Sequence, residues 1–286
     1  MRALQQLLKP QRLTAIVDIG ANPIGGNPVY TRMLNEGVCV VQGFEPNQLA
    51  LANLEAKAGP NETYLDYAIG SGNSTRFCWR QASGMSGFLE DMDEKSLEVF
   101  PAFRPWSVLT GSETMETKRL DDIALAGCDL IRMDVQGAEL EIIKSSPRTF
   151  AEAVMVMTEV SFVNLYAYQP TFADIDFALR ALEFIPHCFA EAKIWPIGSE
   201  KLGQPNQLLE ADVVYVKDYR RRGHLTLEKW KHLAMLAHHV MGSFDLAMHC
   251  IKRIVEAEGG DIGDVSPDAA AQYRKILREA DLVTDN

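Results

Sequence analysis

The chain has 286 residues, a formal charge of −11, 47% apolar residues and 23% charged residues. This composition excludes collagen-like and intrinsically disordered chains, and the excess of negative charge argues against a protein that binds the nucleic-acid backbone. No apolar run approaches the roughly 18–20 residues of a membrane span, and the first residues lack the features of a secretory signal. Five scattered cysteines predict neither a disulfide framework nor a zinc site. We therefore expect a cytoplasmic globular protein with no membrane span and no bound metal.

Short apolar runs rich in valine and isoleucine alternate with helical patterns along most of the chain. The runs are Ala15–Ile19, Val38–Phe44, Tyr64–Ile69, Leu130–Val135, Val154–Val160 and Val213–Val216. Their lack of polar alternation is typical of strands that are buried on both faces of a parallel sheet. Helical spacing follows at Gln48–Ala58, with Asn47 as its N-cap, and at Phe172–Leu182. This alternation predicts a doubly wound, Rossmann-like α/β sheet, in which ligands lie at the carboxyl ends of the strands.

Two regions depart from this alternation. Residues 71–120 are less regular, and their Ser83–Gly87 segment is either a loop that approaches a ligand or a surface excursion. From residue 223 onwards the pattern is helical, with three apolar stripes. We therefore predict a domain of residues 1–222 and an α-helical C-terminal extension of residues 223–286, which packs on that domain or on a partner such as a second copy of the chain.

The first candidate site follows the first predicted strand, in the sequence Val-Asp-Ile-Gly-Ala-Asn of residues 17–22. Gly20 lets the backbone approach a ligand, and free N–H groups at the start of the next helix favour an anion. Glu45, 25 residues after Gly20, ends the second strand at an offset that suits a carboxylate holding two ribose hydroxyls. The alternative is a tight turn followed by a solvated loop acid. The absence of Gly-x-Gly-x-x-Gly argues against a dinucleotide site.

The second candidate site is the segment Ile131–Glu141, where a buried strand passes into a helix. Asp134 and Gln136 end the strand, and Glu139 falls in the first turn of the helix, where the helix dipole favours an anion. Asp134, Gln136 and Glu139 would therefore meet at the mouth of the cleft. The alternative for Glu139 is simple helix capping.

Five motifs occur in an order and at spacings that resemble the FkbM family of S-adenosylmethionine-dependent methyltransferases. They are V-D-I-G-A-N at 17–22, G-F-E-P at 43–46, A-I-G at 68–70, K-R-L-D-D at 118–122 and M-D-V-Q-G-A-E-L at 133–140. The resemblance covers roughly residues 12–218. It implies a methyltransferase sheet with an antiparallel last strand, S-adenosylmethionine as cofactor, and O-methylation of a hydroxyl on a sugar, glycan or polyketide-like metabolite.

The resemblance also implies roles for individual residues. Asp18, Gly20 and Asn22 would border the methionine part of the cofactor, Glu45 would take the ribose hydroxyls, Asp66 and Ala68 would lie by the adenine, and Asp134 would lie near the reacting methyl with Glu139 beside it. One departure concerns the first loop. Many members continue Ala-Asn-x-Gly, whereas this chain has Pro23 and Ile24 before Gly25, which changes the loop beside the cofactor.

A general base is expected, because a sugar hydroxyl is a poor nucleophile. Five of the six histidines lie in the helical extension, which leaves His187 as the one histidine candidate in the sheet domain. The strand-end carboxylates Asp134 and Glu159 are better placed; they could also hold Mg²⁺, although the motif does not demand a metal.

Three alternatives to this function or to these site residues stay open. The chain could be a nicotinamide-dependent oxidoreductase with the same sheet, or a methyltransferase-like binding module that acts through its helical extension. Trp79, Trp106 and Trp195 either stack on a sugar or pack in the core.

Overall fold

The structure is a computed structural model that describes residues 2–22, 26–200, 202–221, 223–256 and 263–283. Its strands are β1 (Thr14–Ile19), β2 (Cys39–Phe44), β3 (Glu62–Leu65), β4 (Ala68–Ile69), β5 (Ser74–Arg80), β6 (Leu109–Lys118), β7 (Leu130–Met133), β8 (Met155–Ser161), β9 (Phe184–Trp195) and β10 (Gln207–Lys217). Its α-helices are α1 (Ala3–Leu8), α2 (Thr31–Glu36), α3 (Gln48–Glu55), α4 (Glu94–Val99), α5 (Glu139–Ser145), α6 (Pro147–Glu152), α7 (Phe172–Ala181), α8 (Leu227–His239), α9 (Phe244–Val255) and α10 (Ala269–Glu279).

Seven strands form the main sheet, in the order β3-β2-β1-β7-β8-β10-β9. The first five strands in this order are parallel, and β10 runs antiparallel to both β8 and β9. The order reverses at β1, so the carboxyl ends of β1, β2 and β7 open a crevice at the switch point. The predicted Rossmann-like sheet with an antiparallel last strand is confirmed.

A second, three-stranded sheet has the order β4-β6-β5, and its strands β5 and β6 lie within the region expected to be irregular. The single strand expected at Tyr64–Ile69 is wrong, because the chain leaves the main sheet after Leu65 and enters the small sheet at Ala68. The strands β5 and β6 were not expected. Most side chains of β6 are exposed, so this strand carries no apolar periodicity to reveal it.

The main sheet is covered by a helical layer on each face. On one face Val17, Ile131 and Val156 pack against α5, α6 and α7. On the other, the alternate residues Ile16, Leu130 and Met155 share a core with α1 and with the C-terminal helices. Because alternate side chains of each central strand enter different cores, these strands read as continuous apolar runs.

The C-terminal helices α8, α9 and α10 supply most of that second layer. Leu233 and Ile251 are fully buried in the core that includes Ile16. The contact also has polar anchors, since Nδ1 of His232 lies 3.1 Å from Oγ1 of Thr14 in β1. The apolar stripes of the extension are thus used within the chain. The division at residue 222 stays a prediction.

Candidate functional site

A cavity of about 540 Å³ opens at the carboxyl ends of β1, β2 and β7. Of the residues expected at the site, those that line it are Asp18, Gly20, Asn22, Glu45, Ala68 and Asp134. Four others, Asp66, Glu139, Glu159 and His187, are absent from its wall. Residues 23–25, where the sequence departs from the family pattern, lie outside the described residues.

The floor of the cavity is built around Asp18, which is fully buried in β1. Its carboxylate accepts hydrogen bonds from the hydroxyl of Tyr30 and, at 3.2 Å, from Arg132. Burial raises the pKa of Asp18, while the Arg132 guanidinium opposes that rise. Arg132 also donates to the carbonyl of Gly20 at 3.0 Å and to Asp134 at 3.1 Å. One partly buried cation, Arg132, therefore fixes both polar loops of the crevice, and neither it nor Tyr30 was expected from the sequence.

Gly20 makes a close approach to the turn after β7, and its predicted approach to a ligand stays a prediction. Its φ is +73°, and a Cβ at this position would lie 2.3 Å from the backbone oxygen of Asp134. A side chain would therefore separate the loop after β1 from the turn after β7. Glycine is needed here both for its backbone angle and for the packing of the two loops.

Glu45 lies at the end of β2 with its carboxylate on the cavity wall. Its Oε1 accepts from the backbone N–H of Asn47 at 2.8 Å. Burial raises the pKa of Glu45, and backbone N–H groups of Asn47 and Asn22 counter the rise. Asn47 in turn caps α3, as expected, by accepting from Leu49 and Ala50. The carboxylate is thus held in place by backbone and presented to the cavity.

The neighbouring wall comes from the bend between β3 and β4. Tyr67, Ala68 and Ile69 line the cavity, and the Tyr67 ring stacks on Phe44 at a centroid distance of 6.3 Å. Asp66 is exposed and lies off the wall. The apolar surface next to Glu45 has the character expected beside a nucleobase.

The turn after β7 positions Asp134. Gln136 and Gly137 both have positive φ, at +54° and +96°. Nε2 of Gln136 donates to Asp134 and to Glu159, each at 3.1 Å. Glu139 is buried behind this turn, where it accepts from the backbone N–H of Val135 at 3.1 Å, and burial raises its pKa to about 7. Its contacts support the turn, and it does not reach the cavity.

Glu159 was expected at the end of a strand, but it lies within β8 and is buried. Its carboxylate forms an ion pair with Lys193 of β9, whose side chain lines the cavity. Burial raises the pKa of Glu159, and the neighbouring carboxylates of Glu210 and Asp134 add to the rise while Lys193 opposes it. Glu159 therefore orients Lys193 and Gln136 from below the wall.

His187 lies on the far side of the sheet from this chemistry. Its Nε2 is 3.0 Å from Oγ of Ser243, which precedes α9 in the C-terminal layer. It does not line the cavity. The contact joins β9 to the extension, and the position gives His187 no direct access to a ligand in the cavity.

The end of the cavity opposite Glu45, called the distal end below, is formed by residues that the sequence did not predict to lie together. They are Trp79, Ser83, Gly84 and Ser86 from the small sheet and its loop, and Glu191, Lys193 and Asp212 from β9 and β10. The Ser83–Gly87 loop sits on the turn after β7, since a Cβ on Gly87 would lie 3.1 Å from Gln136. It therefore forms a wall of the cavity, which favours the ligand-approaching interpretation over a surface excursion.

Neither a metal site nor a membrane span is found in the parts of the chain that the structure describes. No group of three or more histidine, cysteine, aspartate or glutamate residues there could hold a metal ion. No helix among those residues is long and apolar enough to cross a bilayer.

Comparison with known proteins gives one family and one related sequence. The Methyltransferase FkbM domain matches residues 18–186, more than half of the chain. The 2-O-methyltransferase NoeI of Sinorhizobium fredii is 29% identical over 140 residues, which are 44% of this chain and 55% of that protein. The match thus spans about half of that relative's length. The family resemblance predicted from the motifs is confirmed, and with it the S-adenosylmethionine-dependent class.

Solved structures give weaker likenesses. A magnesium protoporphyrin IX methyltransferase from Synechocystis, with bound S-adenosylmethionine, superposes with a TM-score of 0.37 at 13% identity over 75% of this chain and 76% of that chain. A precorrin-6y C5,15-methyltransferase from Geobacter metallireducens gives 0.33 at 12% identity over 75% and 86%. At such scores the likeness adds nothing to the fold, which the strand order defines by itself.

Proposed function

Since the chain belongs to the FkbM methyltransferase family, we propose that it transfers the methyl group of S-adenosylmethionine to a hydroxyl of a sugar, a glycan or a related polyhydroxy metabolite. The observation that carries this proposal is the cavity itself. A backbone-held carboxylate, Glu45, lies at one end, and hydroxyl, amide, carboxylate and ammonium groups lie at the other. Asp134 stands on the wall with these groups.

The residues present fit the cofactor. Glu45 offers an acceptor for two ribose hydroxyls, and the backbone N–H of Asn47 already holds one of its oxygens in place. Tyr67, Ala68 and Ile69 offer an apolar wall to the adenine, and the loop of Gly20 leaves room for the methionine part. The cavity volume lies within the range of small-molecule sites. When bound, the cofactor supplies an electrophilic methyl group on a positively charged sulfur.

The protein's own contribution is alignment and exclusion of water. Arg132 and Gln136 hold the Asp134 carboxylate between them, so its direction is fixed before a ligand arrives. The Ser83–Gly87 loop covers the same turn from above. Asp134 thus orients the acceptor at the junction of the two ends of the cavity, and the loop shields that junction from solvent.

The sugar or glycan character of the acceptor has two supports. The related NoeI is named as a 2-O-methyltransferase. The distal end of the cavity combines the aromatic rings of Phe77, Trp79 and Phe88 with the hydroxyls of Ser83 and Ser86 and the ammonium of Lys193. A ring face beside several hydrogen-bonding groups suits a polyhydroxy compound, which has both C–H faces and hydroxyl edges.

The test is transfer of a radiolabelled methyl group from S-adenosylmethionine to a panel of methyl glycosides of common hexoses and deoxyhexoses. Label in an acid-stable methyl ether of at least one glycoside supports the proposal. Binding of S-adenosylhomocysteine without label in any acceptor would indicate a binding module. Binding of NAD⁺ in its place would indicate an oxidoreductase.

A further inference from the structure

Asp212 of β10 is the half-buried carboxylate of the distal cavity that the protein leaves unengaged. Its side chain lines the cavity, and it makes no hydrogen bond or ion pair within 4.0 Å to any residue that the structure describes. Glu191 on β9 also lines the cavity without a partner among the described residues, but it is exposed to solvent. The two carboxylates that lie next to Gln136 are engaged. Both oxygens of Asp134 accept from Arg132 and Gln136, and both oxygens of Glu159 accept from Gln136 and Lys193.

Burial and the neighbouring carboxylates make the position of Asp212 in the sheet unfavourable for a negative charge, and Lys193 offsets part of this cost. Asp212 stands directly opposite Glu159 of β8 on one side and Glu191 of β9 on the other. Like charges opposite one another on neighbouring strands destabilise a sheet. A residue kept at such a cost to folding is expected to serve the ligand, because active sites trade stability for function.

We propose, on the basis of the methyl transfer proposed above, that Asp212 is the general base that accepts the proton of the acceptor hydroxyl. Asp134 orients the acceptor, since Arg132 and Gln136 already occupy its oxygens, and Asp212 takes the proton from the opposite wall. Glu159 and His187, the other candidates from the sequence, do not face the cavity.

The proposed step balances in atoms and charge. An oxygen lone pair of the acceptor forms the bond to the methyl carbon while the sulfur–methyl bond breaks, and that electron pair returns to sulfur as a neutral thioether. The hydroxyl proton passes to Asp212, which becomes a neutral carboxylic acid. One positive and one negative charge disappear together, and the proton leaves to water after the products depart.

Burial raises the pKa of Asp212, which improves it as a proton acceptor near neutral pH. Several charged groups face it from the neighbouring elements. The carboxylates of Asp134 after β7 and of Glu191 on β9 raise the pKa further, whereas the cations Lys193 on β9 and Arg132 on β7 lower it. Two further buried carboxylates lie close by: Glu159 is opposite Asp212 on β8, and Glu210 precedes it by two residues on β10.

The first experiment compares the full-length parent with Asp212→Asn on a methyl glycoside that the parent methylates. We expect kcat to fall by about 10²–10⁴-fold, the usual contribution of a general base. The affinity for S-adenosylhomocysteine, measured by calorimetry, should stay within twofold. The loss of rate at low pH, where the base of the parent is protonated, should be missing from the variant. Asp212→Glu should recover part of kcat, because it restores the carboxylate.

A second readout does not depend on activity. When the pKa of a carboxyl group is higher in the folded than in the unfolded protein, the free energy of unfolding falls as the pH rises through the folded-state pKa, because the charged form is less stable in the folded protein. Removing the charge in Asp212→Asn should therefore raise Tm by about 1–3 °C at pH 8, and the gain should vanish near pH 4. A purely structural Asp212 would instead give a lower Tm at both pH values.

The control is Glu98→Gln, which removes an exposed carboxylate of α4 that lies off the cavity wall. We expect its kcat to stay within about threefold and its acid limb to persist. Asp212→Asn turning over at more than a third of the parent rate, or lowering Tm at both pH values, would overturn the assignment. A parent that methylates no acceptor overturns the proposed function itself, whereas an active parent with an equally active variant overturns only the role of Asp212.

Discussion

The proposed function assigns the end of the cavity at Glu45 to the cofactor and the distal end to the acceptor. These two ends, the cofactor end and the acceptor end, differ in how the chain builds them. The cofactor end takes Asp18, Gly20 and Glu45 from strand–loop junctions of consecutive parallel strands. The acceptor end takes Asp212 and Lys193 from the antiparallel pair β10 and β9, and its remaining wall from the small sheet. At the cofactor end, the carboxylates of Asp18 and Glu45 accept hydrogen bonds from the protein. At the acceptor end, the carboxylate of Asp212 has no such partner among the described residues. The difference suggests that one end is built for stable binding and the other for chemistry on a variable acceptor.

The largest expected effect tests the stability of the cofactor end. Arg132→Met leaves Asp18 buried without its cation, and breaking such a pair costs about 3–5 kcal/mol. We expect a loss of that order in the free energy of unfolding at pH 8, measured by urea denaturation. The loss should shrink at pH 5, because the variant raises the pKa of Asp18 further and the carboxyl is then neutral. The exposed cation of Arg76, paired with Glu90, is the control, and Arg76→Met should cost less than about 1 kcal/mol. An equal loss for the two variants would show that the Arg132–Asp18 pair contributes no more to the free energy of unfolding than an exposed ion pair does.

The next effect separates binding from chemistry. Glu45→Gln keeps the shape of the side chain but removes the charge offered to the ribose, and we expect S-adenosylhomocysteine to bind about 1–3 kcal/mol more weakly. The kcat at saturating cofactor should change little, since the contact is the same before and during the reaction. Calorimetry measures the affinity for S-adenosylhomocysteine, and steady-state kinetics measure kcat. The control is Glu55→Gln, on the exposed face of α3. Undiminished affinity would remove Glu45 from the cofactor site.

The smallest effect concerns the acceptor end. Trp79→Ala removes a ring that lines the cavity, and we expect kcat/KM for a glycoside to fall by the equivalent of about 0.5–1.5 kcal/mol. Cofactor affinity should be unaltered, because the two ends bind different molecules. The half-exposed ring of Trp106, which packs edge-on against Phe103 outside the cavity, provides the matched control. A fall in cofactor affinity for Trp79→Ala would show that Trp79 contacts the cofactor, which would contradict the division of the cavity into two ends.

This difference also explains what the sequence could predict. The cofactor end follows from short motifs, because each residue lies within a few positions of the end of an apolar strand. Asp18, Gly20, Glu45 and Ala68 all line the cavity, in agreement with their expected places, although their roles stay proposals. The antiparallel last strand followed from the family resemblance, whereas the order of the strands came from the structure.

The acceptor end could not be predicted in the same way. Asp212 and Glu159 are far apart in the chain, and only the register of β10 against β8 brings them opposite each other. The strand β6 is too polar to show a period, and Lys193 lies in a largely exposed strand without a motif. The helical extension was recognised from its stripes, but its place as a layer of the main sheet depended on contacts such as His232 with Thr14.

The most direct test of the central claim is a crystal structure of the protein with S-adenosylhomocysteine. The account predicts the ribose hydroxyls within hydrogen-bonding distance of the Glu45 carboxylate, the adenine against Tyr67–Ile69, and the sulfur facing the gap between Asp134 and Asp212. A nucleoside bound elsewhere, or with its ribose turned away from Glu45, would contradict it.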